Sequence, residues 1–287
     1  MIVVVTGASA GVGRATALEF ARRGHDVAIL ARNRQRLEVA AAETRGEGVK
    51  ALPVVADVAD FAAVDAAASR VEQELGPIDV WVNNAMTTVF SPVEKISPEE
   101  VRRGTEVTYF GQVHGMIAAL KRMRPRNRGV IVNVGSALAY RAIPLQSVYC
   151  GAKFAVRGFT DSLRSELLHD NCAVKLVMVH LPAVNTPQFD WALNKTGQQA
   201  QPVPPIFQPE VPARAIAYAA ENPDTREIWV GFSTIKAIVG NMLIPGLLDR
   251  YLAKFGYTGQ LSGEALPSNA PANLFETVDG NYGAHGL

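Results

Sequence analysis

IVVVTGASAGVGRATALEFARRG, residues 2–24, is the stretch that decides the fold. Its first four residues are apolar and β-branched, the pattern of a strand buried on both faces. From residue 14 to residue 23 the apolar positions recur with helical spacing, until Gly24 stops them. Between the two periods lie Gly7, Gly11 and Gly13. Glycines in a strand-to-helix turn let the main chain approach a pyrophosphate, which then rests on the positive end of the helix. This order predicts a dinucleotide site in a doubly wound α/β sheet, with the turn from Gly7 through Ser9, Gly11 and Val12 to Gly13 against the cofactor.

Outward from that unit the alternation continues. Strands are expected at 26–30, 49–56, 78–82, 130–134, 173–179 and 228–230. Helices are expected at 34–45, 61–75, 97–123, from 149 to about 168, and at 213–221. Just past the second strand an acidic side chain would hold the adenosine ribose hydroxyls, whereas an arginine accommodates a 2′-phosphate. Ala31 fills the acidic place and Arg32 follows it, so NADP(H) is preferred and NAD(H) is the second choice. Asp57, after the third strand, either accepts from an adenine amino group or caps the next helix. Asn83 and Asn84, after the fourth, either touch the cofactor or tie neighbouring strands together.

The chemistry is expected in SALAYRAIPLQSVYCGAK, residues 136–153. Tyr149 and Lys153 are four apart on a helical run, which puts them on one face, one turn apart. A cation that close favours the phenolate, so the tyrosine pKa should fall from ~10 toward working pH and suit acid–base catalysis. Ser136, at the carboxyl end of the fifth strand, can face that tyrosine across the crevice where open sheets bind ligands. Cys150, beside Tyr149, reads as a small residue packed in the helix.

The 287 residues carry a net charge of +1, which gives no reason to expect a nucleic-acid or anionic-membrane partner. Two cysteines make neither a disulfide framework nor a metal-ligand spacing, and no metal is expected. No basic leader precedes the first apolar run and no apolar stretch is long enough to span a membrane, so a cytoplasmic setting is expected. The irregular stretch 187–209 suits a lid over an apolar substrate. Residues 1–232 would form the binding and catalytic domain, and 233–287 a helical extension with a polar tail, loosely ordered or lying across a partner. The apolar face of 235–255 suits packing against a sister subunit better than a membrane surface.

With these motifs in order, the chain resembles the short-chain dehydrogenase/reductase (SDR) family over residues 2–231. The resemblance rests on TGASAGVG (6–13), Asp57-Val58, the NNA of Asn83, Asn84 and Ala85, Ser136, YCGAK (149–153) and PAVNT (182–186). It implies a Rossmann-type seven-stranded parallel sheet with helices on both faces; the apolar, glycine-bearing long helices and the C-terminal segment suit a homodimer or homotetramer. The resemblance implies that Tyr149 exchanges a proton with the substrate oxygen and that Ser136 hydrogen-bonds that oxygen. Lys153 would lower the tyrosine pKa and hold the nicotinamide ribose. Val58, Asn84, Ala85, Pro182, Val184 and Thr186 would join the glycine turn, Arg32 and Asp57 at the cofactor. The substrate implied is a small, fairly apolar carbonyl compound or secondary alcohol. Three positions depart from the family pattern: Met86 follows NNA where glycine is usual, Ala183 follows Pro182, and Thr108 stands where the family has a catalytic asparagine. Thr108, counted among the catalytic residues, can bind a water through its hydroxyl but lacks the amide's geometry for a proton relay to Lys153. The alternative is a cofactor-binding regulator or scaffold that keeps the fold with little turnover.

Overall fold

In the computed structural model, which describes residues 1–280 and 282–286, seven strands make one sheet. They are β1 (Ile2–Thr6), β2 (Asp26–Ala31), β3 (Ala51–Val55), β4 (Val80–Asn83), β5 (Val130–Ser136), β6 (Lys175–Leu181) and β7 (Glu227–Trp229). Their spatial order is β3-β2-β1-β4-β5-β6-β7, with every pairing parallel. The expected doubly wound α/β architecture is therefore present. The chain runs outward from β1 to β3, then returns to lay β4 on the other side of β1. Strand order reverses at that point, and the carboxyl ends of β1 and β4 open a crevice.

The β-branched run behaves as its composition dictates: Val3, Val4 and Val5 are fully buried. Helices α1 (Gly11–Arg22) and α2 (Arg34–Gly46), with the helix Glu210–Glu221, cover one face of the sheet through Phe20, Leu37 and Ile216. On the other face, α3 (Phe61–Glu74), α4 (Pro98–Thr105), α5 (Gly111–Met123) and α6 (Ser147–His169) follow in sequence. There Val64, Met116 and Leu163 pack around Trp81. Ser97 and Glu100 close a reciprocal capping box at the start of α4.

The single helix expected over 97–123 is one helical run with a wide turn, Glu106–Phe110, between α4 and α5. Such π-type turns are often found at functional sites. Close packing explains the glycines of α5: a Cβ on Gly115 would stand 1.9 Å from Asn83 Oδ1. The sixth strand lies two residues later than its apolar run suggested. Its ends follow the ladder with β5, which pairs Val130 with Lys175 and Ser136 with Leu181.

The stretch 187–209 is more ordered than its composition suggests. It holds a helical turn, Gln188–Trp191, and two short strands. Leu193–Asn194 pairs with Val89–Phe90, and Gln198–Ala200 pairs antiparallel with Leu261–Ala265. The polar tail is not loosely ordered. It returns to the carboxyl ends of the strands, where Leu274 is 1% exposed and the Asn273 amide donates to the Trp191 carbonyl at 2.9 Å. Among the described residues, no helix is long and apolar enough to cross a membrane.

Candidate active site

The crevice is a cavity of about 410 Å³. Ser136, Tyr149 and Lys153 line it together with Gly7, Ser9, Gly11 and Val12 of the first turn. Ser136 is the last residue of β5, and Tyr149 and Lys153 stand one turn apart on α6, as their spacing required. The Ser136 hydroxyl accepts from the Leu138 amide at 3.1 Å and lies near enough to the Tyr149 oxygen to favour its ionised form. Below Ser136, its carbonyl lies 3.1 Å from Nδ1 of the fully buried His180. His180 Nε2 in turn faces Glu227 at 3.6 Å. Glu227 accepts from the Tyr140 hydroxyl at 2.5 Å and from Trp229 Nε1 at 3.0 Å. This buried cluster fixes the end of β5 from beneath.

Lys153 is 1% exposed, its ammonium donates to the Val134 carbonyl at 2.6 Å, and it lies 5.6 Å from the centre of the Tyr149 ring. Burial pushes the lysine from its ordinary 10.5 down to about 7. Burial also pushes the Tyr149 hydroxyl up, well above its ordinary range, and the neighbouring Ser136 hydroxyl only partly opposes this. The expected fall in the tyrosine pKa is therefore not met in the protein alone. The reason is physical: desolvation penalises the phenolate, and it has drained the neighbouring ammonium of much of its charge. Burial likewise lifts the Cys150 thiol to about 11, so it is an inert packed residue.

The Thr108 hydroxyl is held by main chain. It donates to the Thr87 carbonyl at 2.8 Å and accepts from the Thr87 amide at 3.0 Å. The one hydroxyl proton is spent on main chain, and the residue is fully buried. Thr108 pins the strand-to-helix segment after β4 and leaves the proton chemistry to others.

The glycine turn has the shape a dinucleotide needs. Gly7 and Gly11 sit at φ +67° and +57°, in the left-handed region that favours glycine. A Cβ on Gly13 would lie 2.3 Å from the Gly7 carbonyl oxygen and 2.5 Å from Asn84 Nδ2. The two asparagines are ties. Asn83 accepts from Trp81 Nε1 at 2.8 Å and donates to Asn133 Oδ1 at 2.9 Å. Asn84 donates to the Thr6 carbonyl at 3.0 Å while its side chain also borders the cavity.

Asp57 borders the cavity beside Val58, accepts from the Ala59 amide at 2.9 Å and pairs with Arg103 at 2.5 Å. Burial pushes its carboxyl up, but the amide and the guanidinium outweigh that and hold it below its usual range. Ala85, Pro182, Val184 and Thr186 complete the wall opposite the glycine turn. Arg32 reaches the cavity mouth, where it donates to main-chain carbonyls of Asn273 at 2.6 Å and Phe275 at 2.8 Å.

Sequence reasoning missed Arg36, Trp191, Asn273 and Thr277, which also line the cavity. Arg36 lies in the first turn of α2, four residues after Arg32, which precedes the helix. The tail residues carry no sequence signal.

The sequence model of the short chain dehydrogenase family matches residues 1–196. The chain belongs to that family. Among its relatives is the uncharacterized oxidoreductase YxnA of Bacillus subtilis, 33% identical over 286 residues, which are 99% of this chain and 79% of YxnA. Human 17-beta-hydroxysteroid dehydrogenase 13 is 31% identical over 247 residues, 86% of this chain and 71% of that one. An alcohol dehydrogenase of the archaeon Thermococcus sibiricus, solved in complex with 5-hydroxy-NADP, superposes with a TM-score of 0.69 at 27% identity. That match covers 80% of this chain and 95% of the archaeal one. The short-chain dehydrogenase described here is thus an oxidoreductase-family protein whose structural neighbour was solved with a nicotinamide dinucleotide.

Proposed function

We propose that this short-chain dehydrogenase interconverts a carbonyl group and a secondary alcohol on a fairly apolar small molecule, with NADP(H) as hydride carrier. One observation carries the reading: Ser136, Tyr149 and Lys153 share a single cavity with the glycine turn. Gly7, Ser9, Val12 and Gly13 would hold the pyrophosphate, Arg32 the 2′-phosphate, and Lys153 the nicotinamide ribose. When bound, the dinucleotide supplies or accepts the hydride.

The chain's own residues do the rest. A high pKa keeps the Tyr149 hydroxyl protonated, so in the reducing direction it is a loaded proton donor. The Ser136 hydroxyl, in the same cavity as Tyr149, provides a second donor where negative charge develops on the substrate oxygen. Lys153, one turn away, stabilises the phenolate left after transfer, and more so once nearby anionic groups restore its charge. Met86, Leu138, Ile143, Phe189 and Val203 give the cavity an apolar character, which favours a substrate with little charge. The core of this function lies in residues 1–232, with 187–209 over the substrate and 233–287 as an extension.

One observation favours a second reading, a cofactor-binding regulator without turnover: Thr108 commits its hydroxyl proton to Thr87. Incubating the protein with NADPH and a panel of aldehydes, ketones and quinones separates the two. Consumption of NADPH with at least one carbonyl supports the enzyme; binding of NADPH with no consumption across the panel supports the regulator.

A further inference from the structure

The tail meets the adenosine end of the cavity through its main chain. Arg32 gives both outer nitrogens of its fork to carbonyls, those of Asn273 and Phe275. Arg36 donates to the Val278 carbonyl, Arg103 to Leu274 at 3.1 Å and Arg14 to Tyr282 at 3.1 Å. The Gly11 amide, at the start of α1, donates to the Gly283 carbonyl at 3.1 Å. Buried Leu274 and the edge of Tyr282 against Trp191, 4.6 Å between ring centres, fasten the segment.

The arginines differ in their anions. Arg14 pairs with Glu43 and Arg103 with Asp57. Arg32 and Arg36 form no ion pair among the described residues; Nε of Arg36, a residue 7% exposed, has no hydrogen-bond partner there, and its guanidinium lies 4.8 Å over the Trp191 ring. Two guanidinium groups thus rest on neutral carbonyls at the place where a 2′-phosphate is expected. A phosphate makes the stronger, bidentate bonds to such a fork, so it displaces carbonyls from it. A ribose with a free 2′-hydroxyl offers no charge and leaves them in place.

We propose that segment 273–280, with residues 282 and 283, sets the cofactor preference, as a strap whose carbonyls compete with the 2′-phosphate for Arg32 and Arg36. Either dinucleotide must displace the Gly283 carbonyl from the Gly11 amide, but only NADPH must also lift the strap from those two arginines. The strap narrows the advantage that the arginines alone would give NADPH. This inference rests on Arg32 being the 2′-phosphate residue.

The test uses the full chain with the strap unfastened, Leu274→Ser with Tyr282→Ala. Fluorescence titration with NADPH and NADH should show the ratio of their affinities rising at least fivefold in favour of NADPH. A ratio unchanged or shifted toward NADH overturns the strap. Adding Arg32→Ala to the unfastened chain separates the premises. If that substitution leaves the NADPH affinity unchanged, Arg32 is not the 2′-phosphate residue and the inference falls with it. If it weakens NADPH while unfastening alone left the ratio fixed, only the strap is refuted.

A measurement on the unaltered protein guards against a misfolded variant. Adenosine 2′,5′-bisphosphate should speed chymotryptic cleavage after Phe275 at least fivefold, and ADP should not. Equal or slower cleavage with the bisphosphate contradicts the proposal.

Discussion

Replacing Lys153 by methionine should make the cofactor-free protein more stable while removing its activity. Methionine fills a similar volume with no charge. At ~1.36 kcal/mol for each tenfold change in proton affinity, holding the lysine at about 7 instead of 10.5 costs the charged form about 5 kcal/mol. The lost bond from the ammonium to Val134 returns about 1.5–3 kcal/mol of that. The Val134 carbonyl keeps a partner, because Gln112 Nε2 also donates to it at 3.1 Å. A net gain of about 2–3 kcal/mol at pH 6 is expected from these opposing contributions.

The pH dependence gives the sign. Below about 7 the lysine is charged in both folded and unfolded chains, and the full penalty is present. As pH rises past that value the folded chain releases the proton while the unfolded chain keeps it until about 10.5, so wild-type stability climbs. By pH 9 the advantage of Lys153→Met should have shrunk to about zero. Urea unfolding of both proteins at pH 6 and pH 9 reads this directly. A variant less stable than wild type at pH 6, or a difference that does not change with pH, refutes the account of a desolvated lysine.

Other sites make separate predictions. Arg32→Asp should weaken NADPH at least tenfold and leave NADH within about threefold, read by equilibrium titration, since it removes a charge-assisted fork. Gly13→Ala should abolish binding of both dinucleotides and cost about 1–3 kcal/mol in chemical unfolding, because its Cβ meets main chain at 2.3 Å. Thr108→Ala leaves the buried Thr87 amide and carbonyl without that hydroxyl. It should lower stability by about 1–3 kcal/mol and move the pH profile of turnover little, whereas a relay role would shift that profile.

The fold was legible because its signals are local. A β-branched run, a glycine turn and a helical period each follow from a few neighbouring residues, and parallel pairing then leaves few ways to arrange seven strands. The site was legible where function depends on spacing along one element, as with Tyr149 and Lys153, or on a strand end, as with Ser136. What the sequence concealed depends on distant partners. The direction of the Tyr149 pKa follows from burial, which the four-residue spacing does not reveal. The main-chain partner of Thr108, Thr87, lies 21 residues away and could not be read from spacing. The tail was misread for a related reason. It binds through carbonyls, which every residue has, so its glycine-rich sequence carries no trace of the arginines that hold it 241 and 243 positions away.

The central claim is that Tyr149 exchanges the proton that accompanies hydride transfer. It is tested most directly by comparing NADPH consumption, with one reducible carbonyl, between wild type and Tyr149→Phe at equal cofactor saturation. A rate at least a hundredfold lower in the variant, with NADPH affinity unchanged, is the predicted result. An undiminished rate in Tyr149→Phe would contradict it.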